Sequence, residues 1–310
     1  MTNRLRVTDQ VRCYDAGGSE IPCFRSGQDA SRKSAAKRAM ISEGRFKTES
    51  RAVVDQLTGH IWTQNANPAE FPLNWQEAHA FVANLNRDEF SGFSGWQLPD
   101  RRTLFSLTSH QYINPALPRR HPFENVFPGY YWTGDNCSRL PDQAWYIHLG
   151  GARVFRGMKH GNYLTWPVIP NLRAAAFYER RFSSDPPLVF DHENKVSWLF
   201  DHAGFTQAVS WSGALESIRR LNRENQRGTS RWRLPNIREL ESLVNIASHS
   251  PAVLKHASGL NIQTGYWSST TSVYEPRYAW VLYTRDGEIG VGFKPHPEFH
   301  ALGVVDGILK

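Results

Sequence analysis

Two stretches of the chain carry apolar residues at helical spacing in the same order. Trp75, Ala78, Phe81, Val82 and Leu85 follow Asn74, and Trp211, Ala214, Leu215, Ile218 and Leu221 follow Ser210. Each stretch predicts an amphipathic helix opened by an Asn or Ser N-cap. A Gly/Ser-rich turn then leads to Trp-x-Leu-Pro at Trp96–Pro99 and Trp232–Pro235. The proline suits the first turn of a second helix, whose buried face is Leu104 and Leu107 in one copy and Leu240, Leu243 and Val244 in the other. Shorter alternating runs predict strands: Ala52–Asp55, Tyr130–Trp132, Ala144–Leu149 and Gly151–Phe155, then Leu188–Asp191, Tyr278–Thr284 and Glu288–Phe293. Arg285-Asp-Gly287 is a hairpin signal between the last two.

These elements are one unit written twice. Trp62, Trp75 and Trp96 recur 136 positions on as Trp198, Trp211 and Trp232, and Trp132 and Trp145 recur 135 on as Trp267 and Trp280. Ten of the 11 tryptophans are thereby paired, so one register runs through both copies. Leu85-Asn86 with Leu221-Asn222, Pro115 with Pro251, Gly157 with Gly292 and Lys159 with Lys294 extend it. The expected organisation is a basic N-terminal arm over 1–45, repeat one over 46–170, a linker over 171–181 and repeat two over 182–310. The fold class is α+β, two duplicated domains each of two helices plus an antiparallel β-sheet.

Composition narrows the function classes. With 40% hydrophobic and 13% aromatic residues the chain is too apolar to be disordered. No run approaches the roughly 20 apolar residues of a membrane span, and the start lacks the apolar core of a signal peptide. The expectation is a soluble, cytoplasmic protein as the sequence is written, or a cell-surface one if its native start carries an export signal. The net charge of +7 invites a polyanion reading. Residues 1–45 hold nine basic and five acidic residues, or +4, whereas 46–170 carry +1 and 171–310 carry +2. The run Ser31–Arg38 has no apolar face and reads as a solvated segment, so nucleic acid is disfavoured as a partner.

The combined string is distinctive: Asp-x-x-Thr-Gly-x-x-Trp, a helix, Gly-x-x-x-Trp-x-Leu-Pro, a helix with Arg-x-Leu-x-Ser-Leu, Gly-Tyr-(Tyr)-Trp-[Ser/Thr] and Ala-Trp. It resembles the Lcl C-terminal domain family, named after the C-terminal module of a bacterial collagen-like adhesin, and covers both repeats. Cys13–Cys23 through Asp29 resembles the leader that often precedes this domain. The resemblance implies a C-type-lectin-like fold of the formylglycine-generating-enzyme type and a binding module, with adhesion and recognition of sulfated polysaccharide as the family's association. Two features depart from the pattern. The closing Arg-x-Val strand is replaced by Leu164–Val168 and Ala301–Val305, and repeat two reads Glu193–Val196 where repeat one has its Thr-Gly turn.

Catalytic chemistry finds little purchase. Oxidases of the formylglycine-generating type need a reactive cysteine pair near the C-terminus. This chain has Cys13, Cys23 and Cys137 and none beyond, so a non-enzymatic protein without cofactor is expected. Cys13 and Cys23 can pair in an exported protein or stay thiols in a reducing cytosol, and the missing signal peptide favours thiols. No metal-ligand spacing occurs. Asp135-Asn136 with Asp142 is the nearest approach to a calcium loop and reads better as solvated polar residues.

Recognition is expected on loops, from cations whose forks or ammonium groups suit anionic ligands. The candidates are Arg119, Arg120, Arg153, Arg156 and Lys159 in repeat one, with Arg285 and Lys294 in repeat two. Trp166, the unpaired tryptophan, is the expected surface aromatic, while Trp62, Trp75, Trp96, Trp132, Trp145, Trp198, Trp211, Trp232, Trp267 and Trp280 are expected to fill the two cores. The function read from the residues is recognition of a glycan, a polyanion or a protein partner. Its rivals are a structural subunit of a larger assembly and a ligand-display protein diversified by a retroelement.

Overall fold

The computed structural model describes residues 7–32, 43–171, 182–185, 187–200, 202–253, 260–307 and 309, and within them the tryptophan register builds the same elements twice. Most of the basic run Ser31–Arg38 and of the expected linker therefore lies outside the described residues. No described helix is long and apolar enough to cross a membrane.

The leader contributes β1 (Cys13–Tyr14) and β2 (Glu20–Ile21), paired antiparallel. Contrary to the thiol expectation, Cys13 and Cys23 form a disulfide. The hairpin brings their Cα atoms to 5.3 Å, inside the span of about 4.4–6.8 Å that a disulfide needs.

Repeat one opens with β3 (Phe46–Glu49), β4 (Ala52–Asp55) and β5 (His60–Thr63), continues through α1 (Trp75–Arg87) and α2 (Arg101–Leu107), and closes with β6 (Tyr130–Asn136), β7 (Gln143–His148), β8 (Arg153–Met158) and β9 (Val168–Ile169). A sheet in the order β3-β4-β5-β9 ties its two ends together, while β6, β7 and β8 pair antiparallel in sequence. Repeat two has the same plan: β10 (Phe182–Asp185), β11 (Leu188–Asp191), β12 (Val196–Leu199), α3 (Trp211–Arg223), α4 (Ile237–Ser242), β13 (Gly265–Thr271), β14 (Tyr278–Tyr283), β15 (Ile289–Phe293) and β16 (Gly303–Asp306). Its end-joining sheet runs β10-β11-β12-β16, and β13, β14 and β15 pair antiparallel. The architecture is α+β and duplicated.

Local chemistry explains why the elements start where they do. Asn74 accepts from the Glu77 amide and Glu77 accepts from the Asn74 amide, a capping box on α1, and Ser210 caps α3 through the Gly213 amide. Asn86, at the end of α1, donates to the Trp96 carbonyl at 2.8 Å and accepts from the Trp96 amide at 2.7 Å. Asn222 does the same for Trp232, at 2.8 Å in both directions. The Leu-Asn and Trp-x-Leu-Pro pieces are thus two halves of one clamp.

In some of the tryptophan pairs the two copies make matching hydrogen bonds. Trp132 donates to the Leu73 carbonyl and Trp267 to that of Val209; Trp75 donates to Thr133 and Trp211 to Ser268. Nine of the ten paired tryptophans are buried, and Trp75 is half-buried. Trp166 is not a surface residue. It is 0% exposed, donates to the Thr63 carbonyl and packs edge-on against Trp62 and Phe123. Its counterpart by register is Leu302, also in the core.

The leader is not a solvated arm over its described length. Thr8, Asp9, Gln10, Cys13, Tyr14, Gln28 and Asp29 are buried. Gln10 brackets Thr271 in β13, donating to its carbonyl at 2.7 Å and accepting from its amide at 3.0 Å. Thr270 donates to Asp29, and Arg32 pairs with Asp306 of β16. The chain accordingly divides into two compact units, 35–176 and 1–34 together with 177–310, where the sequence had suggested a separate arm over 1–45.

Candidate functional site

In repeat one the register of β6, β7 and β8 lays side chains in cross-strand rows on one face, as period-two alternation dictates. One row is Tyr130, His148 and Arg153; the next is Trp132, Tyr146 and Phe155. Trp132 is buried beneath α1 as part of the core, whereas Tyr130 is 46% exposed and Arg153 lies in solvent. The face is therefore anchored at one row and open at the other.

The open row is a contiguous aromatic surface. Tyr130 lies 5.0 Å from Tyr146, 4.6 Å from His148 and 5.3 Å from Tyr163, ring centroid to ring centroid. Tyr163 also packs on Trp132 at 4.3 Å and on Tyr146 at 5.2 Å. It reaches the sheet because Gly157 has no side chain: a Cβ there would clash with the Tyr163 hydroxyl. The guanidinium carbons of Arg153 and Arg156 stand 4.8 and 5.0 Å from the Phe155 ring.

Electrostatics assign the charge to the arginines. Burial, with Tyr163 and Tyr130 behind it, pushes the Tyr146 phenol up to about 12 against the opposing pull of Arg153 and Arg156. Burial and then the neighbouring Arg153 hold the His148 imidazole below the usual histidine value. At neutral pH the surface is thus a set of neutral aromatic hydroxyl and imidazole groups edged by permanent cations. It can stack a flat or apolar ring face and pair an anionic group beside it.

Repeat two closes the same face. Gly265, Val281, Tyr283, Glu288, Gly290 and Phe299 stand in the places of Tyr130, Tyr146, His148, Arg153, Phe155 and Tyr163. Phe299 is buried, 5.0 Å from Trp267 and 5.4 Å from Tyr283, and a Cβ on Gly265 would meet its ring at 2.8 Å. The second copy fills with its own rings what the first leaves exposed.

The residues expected from sequence are distributed unevenly. Arg153 is on the aromatic face and Arg156 packs beside it. Arg119 and Arg120 are exposed in the loop before β6, and Arg285 is exposed in the turn after β14. Lys159 is half-buried with its ammonium 4.7 Å from the Trp75 ring centroid. Lys294 is not a surface cation: it is 0% exposed, stands 4.1 Å over the Trp211 ring, and donates to the main-chain oxygens of Tyr14 and Asp15 at 3.4 and 3.0 Å. Burial pushes its ammonium down to about 7, with Asp15 opposing. Sequence reasoning missed Tyr130, Tyr146 and Tyr163, although the two copies differ at all three positions. Among the described residues, no group of three or more His, Cys, Asp or Glu side chains comes together in a way that could hold a metal.

A search of curated proteins returns no match. The pattern of the Lcl C-terminal domain matches twice, over residues 51–169 and 187–304, each match falling on one of the duplicated sheet-and-helix sets. The chain belongs to the Lcl C-terminal domain family.

Proposed function

We propose that this protein is a non-enzymatic, lectin-like binding protein whose first repeat recognises an anionic glycan through Tyr130, Tyr146, His148, Arg153 and Tyr163. The observation that carries the reading is the open aromatic row edged by arginine in repeat one, set against the self-filled face of repeat two. A sugar ring presents an apolar face to Tyr130, and an attached sulfate or carboxylate pairs with Arg153. The Cys13–Cys23 disulfide supports an oxidising compartment, and so an exported protein, over the cytosol.

Binding of a heparin oligosaccharide to the full chain tests the reading. Tyr130→Ala with Arg153→Ala is expected to weaken it at least tenfold, about 1.4 kcal/mol or more. Unchanged affinity removes this face as the site. The pH dependence follows from His148, whose proton affinity burial and Arg153 depress. As the pH falls below the usual histidine range the imidazole gains a charge beside the ligand's anion, so heparin retention is expected to strengthen between pH 7 and 5. His148→Gln should lose that gain, as measured by the change between pH 7 and 5 in the salt needed for elution.

A further inference from the structure

The leader occupies on repeat two a place that repeat one leaves uncovered. On α3, Trp211 and Leu215 are buried beneath the leader's reach: Lys294 bridges the Trp211 ring to the carbonyls of Tyr14 and Asp15, Gly27 lies against Leu215, and Arg219 donates to the Ser26 carbonyl. On α1 the counterparts of Trp211, Leu215 and Arg219 are Trp75, His79 and Ala83. Trp75 is half-buried and His79 is exposed, their rings 4.2 Å apart edge to face. Lys159 still stands over Trp75, yet among the described residues no hydrogen-bond acceptor meets its ammonium.

The leader performs two jobs on repeat two, and repeat one has internalised only one of them. Asp29 brings a carboxylate to Thr270, whose hydroxyl accepts from the first amide of α4, that of Ile237. In repeat one Asp135 stands in the place of Thr270 and accepts from the first amide of α2, that of Arg101, at 2.6 Å. The carboxylate has therefore moved into the domain itself. The second job, supplying two successive main-chain carbonyls to a lysine stacked on tryptophan, has no internal replacement, and the lysine and tryptophan are both present.

We propose that Trp75, His79 and Lys159 form a docking surface for a polypeptide strap of another protein, whose consecutive main-chain carbonyls accept from Lys159 as those of Tyr14 and Asp15 accept from Lys294. The strap lies across α1 as the leader lies across α3. It lacks an acidic residue at the place of Asp29, because that carboxylate would meet Asp135. For the same reason the leader of a second copy of this chain is a poor occupant. This surface is distinct from the aromatic row around Tyr130 and does not depend on the glycan reading.

The probe is a synthetic, disulfide-closed peptide of residues 7–32 carrying Asp29→Asn, added to the isotope-labelled full chain and followed at the Trp75 indole N–H and the His79 ring. Saturable shifts at both are expected, with Lys159→Met weakening binding at least tenfold and the peptide retaining Asp29 binding more weakly than its Asn form. Tyr130→Ala with Arg153→Ala should leave peptide binding unchanged, which separates this surface from the proposed glycan site. The proposal is overturned if millimolar peptide moves neither signal, if shifts are confined to Trp211, or if Lys159→Met binds like the parent. Shifts at Trp75 produced by a heparin oligosaccharide but not by the peptide would also overturn it.

Discussion

Reduction of the Cys13–Cys23 disulfide is expected to expose Lys294 to amine-modifying reagents and to lower the stability of repeat two by about 2–4 kcal/mol. The disulfide closes a ten-residue separation within the leader, so losing it returns conformational freedom to the unfolded segment. The leader's hold on repeat two then includes Gln10 on Thr271, Asp29 on Thr270, Arg219 on the Ser26 carbonyl and Arg32 on Asp306. Lys294 is covered through Tyr14 and Asp15, which sit inside the disulfide-closed loop. Acetylation of Lys294, read by mass spectrometry on the full chain, should be at least tenfold faster after treatment with a dithiol and in the Cys13→Ser, Cys23→Ser variant. A lysine that remains protected in both would show that the leader is held without the disulfide.

The second large effect is the pH dependence that Lys294 contributes. Its ammonium, ordinarily near 10.5, is pushed down to about 7 by burial. Between those values the unfolded chain holds a proton that the folded chain has released. Raising the pH through this window therefore favours the folded state, and the contribution saturates near the unfolded value. Below about pH 7 both states are charged and the full cost of burying the ammonium remains. Repeat two should gain roughly 2–4 kcal/mol from pH 7 to pH 10 relative to Lys294→Met, which keeps the contact with Trp211 and has nothing to titrate. Denaturant midpoints at the two pH values measure it. Parallel behaviour of the parent and the Met variant would place the charge of Lys294 in a well-solvated setting.

Much of this architecture is legible in the sequence because tryptophan is rare and its register is rigid. The stripes behind Asn74 and Ser210 and the paired strands follow from local periodicity and caps. Trp166 misleads for a physical reason: its register counterpart is Leu302, a different letter filling the same core position. Lys159 and Lys294 mislead in the opposite way, sharing a letter and a register but not an environment, because a segment some 280 residues upstream covers only one of them. Such a contact leaves no trace in local pattern, and neither does the leader, whose residues obey no helical or strand period. The aromatic row has no period of its own in either copy. Its signal lay in the subtraction of one repeat from the other, where Gly265, Val281, Tyr283 and Phe299 replace Tyr130, Tyr146, His148 and Tyr163.

The leader's attachment also sets an order of events during synthesis. Repeat one contains all of its own strands and helices within one uninterrupted stretch and can close as soon as β9 has left the ribosome. Thr8 through Arg32 emerge before it, yet their partners Thr270, Thr271, Lys294 and Asp306 are made last. For most of the chain's production the leader must wait, its cysteines available to pair with one another, while the nascent first repeat is already folded and its Trp75 surface already presented. Repeat two is complete only when the leader meets β13 and β16, so a ribosome stalled before β13 leaves a folded first repeat and a tethered leader without its partner strand.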